Sequence, residues 1–250
     1  MAGTAVLRRL SWQVGTVAES RPETATAVTL ALDLPEWTTH LAGQHVDVRL
    51  TAPDGYSTQR SYSIASAPSP GRVEITVQRV EDGEVSPYLV DVARPGDELE
   101  LRGPIGGYFV WRAADPEPVL LVAGGSGIVP LMAMARTRAA AGSRTPMRLI
   151  YSVRGPEDAI YADELRRRVR DDHGLDVSYA YTRRAPDGWN GVVGRVDAAR
   201  LGAGGWPADL APRIFVCGPT GFVETVADLL VDAGHDPGRI RTERFGPTGG

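Results

Sequence analysis

Arg60, Tyr62 and Ser63 carry side chains that can do chemistry together. They lie in the stretch RSYSIASAP, and Arg60 and Tyr62 are two apart, so on a strand they share a face. The guanidinium can hold an anion, the phenol can stack on a flat ring, and the hydroxyls of Ser61 and Ser63 can hydrogen-bond to a heteroatom. Read alone, the stretch is also a strand end with solvated side chains.

Two further motifs lie in the second half. GGSGIVP begins at Gly124, between a continuous apolar run and an alanine-rich helix. The unpaired N–H groups of a helix start favour an anion, and the glycines let a phosphate approach the backbone. Pro130 fits the first helical turn, where no donor is lost. The spacing is not GxGxxG, and a tight turn explains the loop as well. CGPTG, from Cys217, also joins a strand to a helix, at the strand end where parallel sheets bind ligands. Cys217 alone fits a buried small hydrophobe.

The elements that must position these motifs fall into two kinds. WQVGTVAESR, ATAVTLAL, QHVDVRL, QRSYSI, RVEITVQRV and DELELRG read as short strands with turn signals between them. This predicts an antiparallel barrel or sandwich with one short helix at VSPYLVDV. After WRAADPEP, four strands (PVLLVAG, MRLIYSVR, LDVSYAYTRR, RIFVCGP) alternate with helices, and RIRTERF forms a last strand. That alternation predicts a doubly wound parallel sheet. Gly174 is expected to close the second helix in the left-handed conformation, and the last helix is expected to end at Gly234. The chain is thus α/β with an all-β first domain, residues 1–113, and a nucleotide-type domain, residues 114–250.

Composition narrows the function. A net charge of −4 gives no nucleic-acid footprint. No apolar run is long enough to span a bilayer and the N-terminus lacks a signal-peptide core, so a cytoplasmic protein is expected. One cysteine, Cys217, cannot form an intrachain disulfide or hold an iron–sulfur cluster, and the four histidines lack metal spacing.

Taken in order, Arg60-x-Tyr62-Ser63, the Gly124 loop and Cys217-Gly218-Pro219 resemble the ferredoxin–NADP reductase family of flavoproteins, over about Trp12 to Phe245. The resemblance implies a Greek-key β-barrel flavin domain followed by a Rossmann-like nucleotide domain. It implies that Arg60 pairs with a flavin phosphate, Tyr62 stacks on the isoalloxazine, and Ser63 hydrogen-bonds near flavin N5, beside Ser61. Strict alternation puts Ser63 opposite Tyr62, so that role needs a bend in the strand or the backbone N–H instead. Val77 and Gln78 match positions that line the flavin. Gly83, Val85 and Ser86 resemble a pyrophosphate cradle, which favours FAD over FMN, although an ordinary capped turn also fits. GPIGGYF, from Gly103, matches a loop that closes the barrel.

On the nucleotide side, the resemblance implies that Gly124, Gly125, Ser126 and Gly127 meet the dinucleotide phosphates, and that Cys217, Gly218 and Pro219 sit by the nicotinamide. Ser63, Cys217 and Glu243 are the catalytic candidates, Glu243 for proton delivery, and Phe245 covers the flavin face. Ser152, Arg154, Thr182 and Arg183 gather where the adenosine ribose should lie, which favours NADP over NAD. Glu157 and Asp158 nearby argue the other way. The expected reaction is hydride transfer from NADPH or NADH to FAD, with electrons leaving to a separate acceptor such as a ferredoxin or oxygenase component. RRRVR, from Arg166, could dock an acidic carrier or be a solvated helix face. A reductase of free flavin and a non-catalytic binding subunit are the alternatives. A monomer is expected.

Overall fold

A computed structural model describes residues 10–246. The first half forms six strands, β1 (Trp12–Thr24), β2 (Ala27–Asp33), β3 (His45–Thr51), β4 (Ser57–Ser63), β5 (Arg72–Gln78) and β6 (Glu98–Ile105). They make an antiparallel sheet in the order β4-β3-β6-β1-β2-β5. An Ile64–Ile75 bridge and a 2.7 Å bond from Ala65 N–H to Glu74 C=O join the two edge strands, so the sheet curls into a barrel. Val73, Ile75 and Val77 of β5 point inwards to a core with Leu30, Val46, Val48 and Leu101. The intervening Glu74, Thr76 and Gln78 point outwards, as the period of two requires. The short helix expected after β5 is a single turn, Tyr88–Val92.

The second half is a parallel sheet of β7 (Val119–Gly124), β8 (Met147–Val153), β9 (Leu175–Tyr181), β10 (Arg213–Pro219) and β11 (Ile240–Phe245), in the order β11-β10-β7-β8-β9. Helices α1 (Ile128–Ala140), α2 (Ala162–Asp171), α3 (Ala198–Gly204) and α4 (Thr220–Asp232) cover it. β7 is apolar throughout because Leu121 and Ala123 enter one core and Leu120 and Val122 the other. The sheet reverses its order between β7 and β10. The Gly124 and Cys217 motifs therefore stand side by side at the switch point.

Two details differ from expectation. α3 gave no strong sequence signal; the Asp197 carboxylate caps it by accepting from Arg200 N–H at 2.9 Å. Gly174 is not left-handed. A Cβ there would lie 2.1 Å from the Arg138 guanidinium, so a larger residue requires that side chain to shift. Gly234, at φ +89°, is the left-handed residue after α4.

The two halves share a core. Ala27, Ala42, Ala65, Phe109 and Trp111 pack in one cluster with Met132, Ala133 and Phe215. Phe109 meets Phe215 edge-on at 5.3 Å. Among the described residues no helix is long and apolar enough to cross a membrane, and no group of His, Cys, Asp or Glu could hold a metal ion.

Candidate functional site

β3 and β4 pair with Val46 opposite Tyr62 and His45 opposite Ser63. Tyr62 therefore follows Val46 and packs partly on the barrel core, while Ser63 follows His45 to the other face. Alternation holds without a bend. Both residues still line one cleft of about 400 Å³, because β4 ends at Ser63 and the cleft reaches both sides of that end. Burial pushes the Tyr62 phenol up to about 12, so the ring, already neutral near pH 7, stays neutral into alkaline solution.

The remaining walls come from distant segments. His45, Ser61, Thr76 and Gln78 belong to the barrel, Ser126 and Val129 to the start of α1, and Glu243, Arg244 and Phe245 to β11. The Ser63 hydroxyl donates to Glu243 Oε1 at 3.3 Å. Burial raises the Glu243 carboxyl to about 7, with the Ser63 hydrogen bond opposing the shift. The Ser61 hydroxyl is committed to Asp47 at 2.7 Å, and Asp47 is paired with Arg102 at 2.6 Å. Arg60 is exposed and lies outside this cleft. It rests on Gln59 C=O at 2.7 Å and has no carboxylate partner among the described residues, so its charge is free for an anion.

A second cleft of about 340 Å³ is lined by Gly124, Gly125, Ser126, Ser152, Val153, Arg154, Asp158, Thr182, Pro219 and Phe222. Gln78, Ser126 and Phe245 line both clefts, which makes the two contiguous. Phe245, 39% exposed, ends β11 beside Pro219 of β10. The glycine loop is a tight turn followed by α1. Gly125 has φ +54° with open space at its missing Cβ, and a Cβ at Gly127 would lie 2.1 Å from the Cys217 carbonyl oxygen. The loop can therefore lie flat on β10 and present its backbone to the cleft. Arg183 lies next to Arg154, with its N–H bonded to the Arg154 carbonyl at 3.0 Å.

Several expected site residues are not presented to either cleft. Cys217 is 1% exposed and packs in the core, and burial holds its thiol well above the ordinary range. Its side chain lines neither cleft. Gly218 is buried beneath Phe222, so of this trio only Pro219 reaches the cleft. The side chains of Val77 and Val85 are in the barrel core, 0% and 1% exposed. The Ser86 hydroxyl accepts from Val80 N–H at 3.1 Å, and a Cβ on Gly83 would lie 2.9 Å from it, so this segment is a capped turn. What it can offer a phosphate is backbone. Among the described residues no carbonyl accepts from the N–H of Glu84 or Val85.

Sequence reasoning missed His45, Thr76, Val129, Val153, Phe222 and Arg244. Thr76 was within reach, two residues before Gln78 on one strand face. His45 was not, since only the β3–β4 register puts it beside Ser63. In RRRVR, Arg166 pairs with Asp163, Arg168 with Glu164 and Arg170 with Asp171, so most of that charge is spent locally.

Comparison with known proteins agrees with this two-part architecture. Residues 16–110 match the oxidoreductase FAD-binding domain family and residues 121–228 the oxidoreductase NAD-binding domain family. Ferredoxin–NADP reductase B of Sorangium cellulosum is 38% identical over 214 residues, covering 82% of this chain and 84% of that one. The chain belongs to the ferredoxin–NADP reductase family. Another family relative, the glycine betaine monooxygenase reductase subunit of Pseudomonas aeruginosa, is 36% identical over 82% of this chain. The matched region spans only 56% of that relative's length. Among solved structures, the flavohem-like FAD/NAD-binding domain of nitric oxide dioxygenase from Vibrio cholerae superimposes with a TM-score of 0.84 at 25% identity, covering 94% of this chain and 99% of that one. The Amycolatopsis cytochrome P450 reductase GcoB gives 0.81 at 26% identity, covering 95% of this chain and 71% of that one. The chain thus carries an FAD-binding and an NAD-binding domain of the oxidoreductase type.

Proposed function

We propose that the protein takes a hydride from NADPH onto bound FAD and passes the electrons to a separate redox protein, an oxygenase component or a ferredoxin. The observation that carries this reading is the sharing of Gln78, Ser126 and Phe245 by the two clefts. A ring held in each can meet its partner only at such a junction.

The residues present fit FAD. Tyr62 offers a neutral ring face, Arg60 an unpaired cation, and the Glu84 and Val85 N–H groups two free donors. FAD supplies a two-electron acceptor that can also release electrons singly. The protein's own part is alignment. Tyr62 and Phe245 bound the ring site, and Ser63 holds a hydroxyl at its edge, bonded to Glu243. Glu243, with a carboxyl raised to about 7, can hold or release a proton through the Ser63 hydroxyl. Ser126 and Gly125 present the start of α1 to the nucleotide phosphates.

The preference for NADPH rests on which charges are free. Glu157 is engaged by Arg184 at 2.6 Å, and the Asp158 carboxylate accepts from Gly155 N–H at 2.9 Å. Arg154 and Arg183 have no carboxylate partner among the described residues and can face a 2′-phosphate. The same reading divides the chain into a flavin unit, residues 1–113, and a nucleotide unit, residues 114–250, and assigns it to the cytoplasm, where both nucleotides are available.

A second reading, reductase of free flavin, is favoured by one observation, the commitment of the Ser86 hydroxyl to Val80. A cradle made of backbone alone would hold flavin more weakly. Anaerobic titration of the purified protein separates the readings. The expected result is a yellow protein bleached faster by NADPH than by NADH. Colourless protein that reduces added flavin supports the second reading. Yellow protein that neither nucleotide bleaches overturns both.

A further inference from the structure

The outer face of β5 is where the two halves of the chain meet. Glu74, Thr76 and Gln78 stand two residues apart on that face, and each has a different task. Gln78 lines both clefts and Thr76 lines the flavin-side cleft. Glu74 and Thr76 are also held by side chains from the nucleotide half.

Tyr161, just before α2, is 3% exposed, and its hydroxyl bonds to Thr76 Oγ1. Thr76 Oγ1 also lies 2.7 Å from Thr29 Oγ1, and Thr29 donates to Glu23 Oε1 at 2.6 Å. The Tyr161 N–H donates to the other oxygen of Glu23 at 3.3 Å. Tyr161 has φ 62°, a left-handed backbone that an aromatic residue adopts only when its surroundings require it. Arg136 of α1 adds a second anchor. Its side chain is 11% exposed and donates to Ala65 C=O at 2.9 Å and Glu74 Oε2 at 3.1 Å, both in the barrel half. Its other nitrogens hold Glu164 at 2.6 and 3.1 Å, and its guanidinium lies 4.8 Å from the Tyr161 ring centre.

A seam needed only for stability can be apolar, because the hydrophobic effect has no direction. Hydrogen bonds and a guanidinium fork have direction, and they fix register. Here they act on the strand that lines both clefts, two residues from Gln78 on the same face. We propose that Tyr161 and Arg136 are positioning residues that set the register of the flavin-side cleft against the nucleotide cleft, and so the approach of the two rings. This rests on the hydride-transfer reading above. Transfer between two held rings is steep in distance and angle, so a small slip at the seam slows the chemical step more than it weakens binding.

Tyr161→Phe removes one oxygen and is the main test. Arg136→Lys keeps a charge beside Glu74 and Glu164 and loses the fork. Full removal of Arg136 would leave Glu74 to Arg21 and Glu164 to Arg168 but would also empty its buried place beside Ala65 C=O, so the change that keeps the charge is the cleaner one. Holoprotein is mixed with NADPH in a stopped-flow instrument, and amide exchange over Glu74–Gln78 is measured separately. The expected result for Tyr161→Phe is flavin reduction slower by about ten-fold at saturating NADPH, with the apparent NADPH KM within about two-fold. Exchange at Thr76 should speed up, and any long-wavelength charge-transfer band formed with NADP⁺ should weaken. Arg136→Lys should fall between Tyr161→Phe and the unaltered protein. Reduction at the unaltered rate in Tyr161→Phe, whatever the change in exchange or Tm, overturns the proposal. A raised KM with unchanged maximal rate also overturns it. If the unaltered protein is yellow but not reduced by either nucleotide, the hydride-transfer reading itself fails.

Discussion

The Ser63 hydroxyl and the Glu243 carboxylate meet at 3.3 Å across 180 positions of sequence. Ser63 ends a barrel strand and Glu243 lies on an outer strand of the parallel sheet. Their contact puts a titratable group from one half against the flavin-side cleft of the other.

Glu243 should impose a pH dependence on stability. Its carboxyl titrates near 7 in the folded protein, against an ordinary 4.5, so the folded state favours the protonated form. The stabilisation is fully present below pH 4.5 and is lost as pH rises through 7. In flavin-free protein, Glu243→Gln should match the unaltered protein near pH 4 and exceed it at pH 8 by up to about 3 kcal/mol. Denaturant unfolding at the two pH values measures this. A constant difference would mean that the group is not shifted.

Ser63→Ala should separate binding from chemistry. The hydroxyl does not hold Tyr62 or Arg60, so flavin content should be retained. Reduction by NADPH should slow by about ten-fold or more, the loss expected for a positioned hydrogen-bonding group. Its removal also takes away the bond that lowers the Glu243 pKa, so the pH profile should move upwards. Stopped-flow reduction between pH 6 and 9 reads both effects.

Nucleotide choice should follow Arg154 and Arg183. The double change to alanine should raise KM for NADPH by about ten-fold or more, one lost charge-assisted hydrogen bond being enough. KM for NADH should change by less than about two-fold. Steady-state assays with both nucleotides decide it, and an equal rise for both would place the arginines elsewhere on the nucleotide.

Cys217 should be inert. A core thiol with a raised pKa carries little thiolate and has no access to solvent. A disulfide reagent should label it only in denaturant, and Cys217→Ala should keep most of the reduction rate. Rapid labelling of the native protein would contradict the packing.

The two loop glycines should differ in cost. Gly125→Ala meets open space but a left-handed backbone, at about 1–2 kcal/mol. Gly127→Ala drives a Cβ to 2.1 Å from the Cys217 carbonyl oxygen, which belongs to a central strand and cannot yield. That should cost about 3 kcal/mol or more, or abolish folding. Equilibrium unfolding of the two variants gives the order.

The sequence by itself determined most element types, the split between antiparallel and parallel halves, and the glycine turn that opens α1. Those features are local. Alternation in RVEITVQ, an unbroken VLLVAG and a glycine turn before an alanine-rich helix each follow from near neighbours in the chain. Tertiary structure alone decided which way the site's side chains face. Cys217 carries its family motif into the core, because β10 is covered on both sides. Ser86 spends its hydroxyl on Val80. Ser63 and Tyr62 share a cleft although they alternate, because the strand stops between them and the nucleotide half. Glu243 acquires its shifted carboxyl, and Tyr161 its hold on Thr76, only when the two halves close on each other. Burial and long-range partners depend on the whole chain's packing, and no short window of residues contains that information.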